Sequence, residues 1–148
     1  MYILSKFLHL VGAIVWLGGM AFMLWSLRPV AVAQLQPPVR APLMAAVMGR
    51  FFPLVWLCIA AMLLTGVGML MSVGMKAAPL GWHMMLGVGV LMFALFGHLY
   101  FGPFKRLKLA VAASDWPDAG RRMGQIQTLV TVNFALGWLA IAAVLFVK

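Results

Sequence analysis

At 148 residues, with 66% of them hydrophobic, 9% charged and a mean hydropathy of +1.08, the chain lacks the polar surface that a water-soluble globule of this size needs. Eleven basic residues against two acidic ones give a net charge of +9. The basic residues fall between apolar runs with no interleaved aromatics, which argues against nucleic acid and for the loops of a multi-pass membrane protein.

The first span is expected at about residues 4–27. Lys6 precedes the apolar run Phe7–Leu27, which ends at Arg28-Pro29 without a small-residue cleavage pattern, so a retained span is expected here, not a leader peptide. Gly12 and Trp16 follow His9 by three and seven residues, close to its face at about 3.6 residues per turn. The connection that follows holds Pro29, Pro37, Pro38 and Pro42, so its first part is expected to be non-helical, with Pro42 opening a short helix through Met48. The second span covers about 51–73, with Pro53 in its first turn and Cys58 as a small core residue. A single cysteine leaves no internal disulfide and no multi-cysteine zinc site.

A short turn, Gly74–Pro79, makes spans two and three antiparallel neighbours. Span three, about 80–103, carries His83 near its start and His98 near its end. The polar segment from Lys105 to Arg122 contains Ser114, Asp115 and Pro117, a helix-start pattern. Span four, about 123–147, carries Gln125, Gln127, Thr128, Thr131 and Asn133 in its first half, and these need partners on neighbouring helices. The expectation is an all-α fold, one transmembrane domain over 1–148 forming a four-helix antiparallel bundle in the lipid bilayer. Two connections on one side hold eight basic residues, while the other side holds Lys6, Lys76 and Lys148. The positive-inside rule then sets both termini on the extracytoplasmic side of a bacterial-type inner membrane.

Ionisable groups in hydrocarbon are costly and usually functional, which directs attention to the three histidines. His9 and His83 both fall in the outer half and could converge from spans one and three as axial ligands of haem b. Gly12 and Gly87, one turn beyond each, would leave space for the macrocycle, and Lys6 and Lys76 would meet its propionates. His98, with Gly102 one turn on and Lys105 and Arg106 nearby, is the third candidate ligand. On this reading the chain passes electrons to an unknown redox partner at the outer side. The alternative is copper handling, with Cu(I) held by His9, His83, Met84 and Met85, since thioethers with imidazole suit that ion. A cofactor-free assembly subunit is the remaining reading. Glycine-rich faces could mediate a homodimer. Paired carboxylates, a nucleotide-binding glycine loop and a nucleophile beside a base are all missing, so no catalytic residue is assigned.

The stretches LHLVGAIVWLGG in span one and GRFFPLVWLCIAAMLLTGVG in span two, with the basic end of span three, resemble the four-helix core of the copper-resistance protein D (CopD) family. The Trp82-His83 pair and FGHLYFG over Phe96–Gly102 also resemble the related HemJ-type protoporphyrinogen oxidases. The first resemblance implies a copper-handling membrane protein; the second implies a haem b oxidoreductase with His9, His83 and His98 at the histidine positions. Both families tend to carry a lysine where this chain has Met85.

Overall fold

The computed structural model describes residues 2–147; Lys148, one of the three outer-side lysines, lies outside the described residues. Four helices follow in order: α1 (Tyr2–Gln34), α2 (Pro37–Val73), α3 (Leu80–Ala112) and α4 (Trp116–Phe146). Each is long and apolar enough to cross a membrane, and the described residues contain no strand. The chain is an all-helical, multi-pass membrane protein suited to a lipid bilayer.

The helices run for 33, 37, 33 and 31 residues, well beyond the ~20 that span hydrocarbon. The excess lies at one end, where residues 28–50 and 104–122 gather the arginines and both aspartates. We call this the basic end and the opposite one the terminal end. The non-helical connection expected after Arg28 is replaced by a two-residue break, Leu35–Gln36. The reason is a π turn, Met23–Leu27, that directly precedes Arg28-Pro29, with the Arg28 N–H donating to the Met23 carbonyl. Proline lacks a donor and crowds the carbonyl four residues back; one wider turn absorbs both problems and the helix continues. A second π turn, Tyr100–Phe104, contains Pro103 and carries α3 beyond its expected end. Pro37 and Pro38 open α2, where N–H groups have no helical partner anyway, so Pro42 falls inside the helix instead of starting one. The start of α4 is as expected: Asp115 Oδ1 accepts from the Asp118 N–H at 3.0 Å.

Close backbone packing pairs α1 with α2 and α3 with α4. Spans two and three are neighbours, as their short turn implied, and Gly74 in that turn takes φ 90°, but their backbones pack less closely than those within either pair. What joins them is aromatic and lies in the half toward the basic end: Phe96 of α3 meets Phe52 at 5.3 Å and Trp56 at 5.1 Å, and Phe104 meets Phe52 at 4.7 Å. Bulky rings hold the two helix pairs apart, and toward the terminal end that separation becomes open space.

Glycine sets the close approaches. A Cβ on Gly81 would collide with the backbone of Ala143 in α4 and of Val147 just beyond it, and one on Gly12 would press on the Met62 side chain and the Cys58 carbonyl of α2. Gly81→Ala is therefore expected to destabilise the bundle by about 2 kcal/mol or more, because backbone cannot yield as a rotamer can. Gly124→Ala, where a Cβ meets nothing, is expected to be neutral or slightly stabilising through helix propensity. Unfolding in mixed detergent micelles checks both.

Among the described residues, Asn133 alone of the polar residues in α4 bonds across to another helix, donating from Nδ2 to the Met92 carbonyl of α3 at 3.2 Å. Thr128 and Thr131 donate back to carbonyls of their own helix, and Gln125 accepts from Arg122. A hydroxyl can satisfy itself on the preceding turn, so the partners expected on neighbouring helices are not needed.

Candidate metal centre

Between the two helix pairs, toward the terminal end, lies a cavity of about 340 Å3 lined by all four helices. His9 of α1 faces it together with Met62 and Met69 of α2 and Met85 and Met92 of α3. Lys6, exposed to the surroundings, also lines it, and among the described residues no carboxylate does. Toward the basic end the space is closed by Trp16, which stacks on Phe93 at 5.9 Å and meets Phe96 edge-on at 6.0 Å.

The imidazole of His9 is held from behind. Its Nδ1 lies 3.1 Å from both the Met62 carbonyl and the Thr65 hydroxyl oxygen. The Thr65 hydroxyl itself donates to the Ala61 carbonyl at 2.6 Å, so its oxygen is left to accept, as a carbonyl must. Both neighbours of Nδ1 are therefore acceptors. This assigns the proton to Nδ1 and the free lone pair to Nε2. A ring nitrogen tied to backbone with the other left basic is the arrangement that orients a metal-ligating histidine. Gly66 makes room for the ring: a Cβ there would sit 3.1 Å from His9 Cε1.

Of His9, His83, His98, Gly12, Gly87, Lys6 and Lys76, the structure brings His9 and Lys6 to the cavity and leaves the others outside it. His83 is half-buried and donates from Nε2 to the Met75 carbonyl at 3.0 Å, so the two imidazoles expected to face each other are not gathered on one site. Gly87 faces open space and Lys76 lies exposed in the turn. The space expected beside Gly12 is filled by α2. His98 is exposed, far along α3 toward the basic end, beside Gly102. Met85 lines the cavity, whereas Met84 is 40% exposed outside it.

Sequence reasoning missed Met62, Thr65, Gly66 and Met92. Met62, Gly66 and Met69 are spaced four and three apart, one face of a helix, at the depth that an antiparallel partner of His9 would occupy. That spacing was the available signal.

Among the described residues no three His, Cys, Asp or Glu side chains gather into a metal-binding group. A metal at this cavity would take one imidazole and thioethers. Such a donor set, carrying no negative charge, suits a soft monovalent ion and not a hard divalent one. Among curated proteins and solved structures, none matches the chain. The family described as Copper resistance protein D matches residues 45–147, which takes in most of α2 and all of α3 and α4. The chain belongs to the copper resistance protein D family.

Proposed function

We propose that this protein handles copper as cargo, holding Cu(I) in the terminal-end cavity with His9 Nε2 and the thioethers of Met62, Met69, Met85 and Met92 as the donor pool. The observation that carries the reading is the double tether on His9 Nδ1, which leaves Nε2 basic at a methionine-lined wall. Membership of the family supports copper as the metal. Positive charges concentrated at the basic end favour that end as cytoplasmic, so the cavity belongs to the extracytoplasmic half of a bacterial-type inner membrane. With Trp16, Phe93 and Phe96 closing the inner side, the cavity is suited to taking up and handing over copper on one side of the membrane.

Haem b fits these residues poorly. The Nε2 of His83 is spent on a backbone carbonyl, and the face of α1 at Gly12 is packed against α2.

The test is anaerobic titration of the detergent-purified protein with Cu(I) against a chromophoric competing chelator. One tightly held equivalent per chain is expected for the wild type and for His83→Ala alike. Failure to retain Cu(I), or a red preparation with a sharp reduced-state α-band, would overturn the proposal.

A further inference from the structure

The basic end contains a second cavity, of about 120 Å3, where α1 ends and where α2 and α4 begin. Arg28 and Arg40 both line it, with Trp116 beside them and Ala31, Ala41 and Met44 on an apolar wall. Two arginines on the wall of so small a space set like charges near one another, which an anion between them would relieve. Among the described residues no carboxylate supplies one. Asp118 pairs with Arg121 and Arg122 at 2.9 and 3.3 Å, and Asp115 is occupied in capping α4.

Arg40 is also held in place. Its Nη1 reaches the Val32 and Leu35 carbonyls at the end of α1, each at 3.4 Å, which leaves Nε and Nη2 to bind something else. Arg28 makes no hydrogen bond to another side chain among the described residues, and it directly follows the apolar run of α1, at the hydrocarbon boundary. Two guanidinium forks with no carboxylate partner suit the oxygens of a phosphate group. Basic pockets between membrane helices on the cytoplasmic side take lipid headgroups in this way.

We propose that Arg28 and Arg40 together bind a phosphate group, and that it belongs to the headgroup of an anionic phospholipid whose glycerol and upper chain lie on the apolar wall. The site is separate from the copper cavity and does not depend on it.

Two measurements on the full chain test it. Native mass spectrometry of the wild type, released from detergent after extraction from membranes, is expected to show a retained phosphatidylglycerol-class lipid. Thermal unfolding in nanodiscs is expected to show a gain in Tm on replacing phosphatidylcholine with phosphatidylglycerol. In R28Q/R40Q, lipid retention is expected to fall roughly tenfold, in line with losing charge-assisted hydrogen bonds, and the gain in Tm to shrink with it. R28K/R40K keeps the charge but not the forks, and is expected to recover only part of either effect. Arg121→Gln, on the same end but outside the cavity, is expected to behave as wild type. An equal gain in Tm from inorganic phosphate alone would overturn the assignment to lipid. Equal lipid retention by wild type and R28Q/R40Q would overturn the site itself.

Discussion

Replacing Phe96 with alanine is expected to cost about 2–3 kcal/mol of bundle stability and to open the closed side of the cavity. Phe96 is 3% exposed and touches rings from three helices: Trp16 of α1, Phe52 and Trp56 of α2, and Tyr100 of its own. In a water-soluble core the same deletion costs about 3–5 kcal/mol, part of it the transfer of apolar surface from water. In lipid that part largely disappears and the lost packing remains. The remainder is still large here, because α2 and α3 are joined mainly through these rings. Denaturation with SDS in mixed micelles reads the stability, and accessibility of Cys58, which is buried on α2 beside Gly12, reads the loosening. Phe96→Leu, which refills most of the volume, is expected to recover the greater share of both.

His9→Ala is expected to weaken Cu(I) retention at least a hundredfold, since it removes the only nitrogen donor from an otherwise all-thioether set. Thr65→Val separates ligation from positioning. It removes one of the two acceptors on Nδ1 while leaving the Met62 carbonyl, and the expected loss is about tenfold, at the low end for such outer partners. His98→Ala, on an exposed ring toward the other end, is expected to change nothing in the same competition titration. A purely structural role for His9 would lower stability in His9→Ala without this graded order of metal loss.

The four spans were legible because about twenty apolar residues in succession have no other stable home. Asp115 and Pro117 marked the start of α4 for an equally local reason. Proline was misread where its effect was not local: the π turns at Met23–Leu27 and Tyr100–Phe104 exist only because a whole helix gains by continuing. The short turn at Gly74 fixed the direction of α3 and its place beside α2 but not how closely they pack, which the rings of Phe52, Trp56 and Phe96 set. For the site, sequence gave the depth of each histidine. Depth does not say which way a ring turns or what it meets. The Met75 carbonyl in the neighbouring turn takes up His83, and the Met62 and Thr65 oxygens, some fifty residues away, orient His9. Of the thioethers, the sequence singled out Met84 and Met85, and only the separation of the two helix pairs places Met62, Met69, Met85 and Met92 around one space.

X-ray absorption at the copper edge, on the Cu(I)-loaded protein and its His9→Ala variant, addresses the ligand set directly. One imidazole nitrogen together with two or more thioether sulfurs is predicted for the wild type, with the imidazole scattering lost in the variant. A spectrum of nitrogen and oxygen donors without sulfur, or one unchanged by removing His9, would contradict the account.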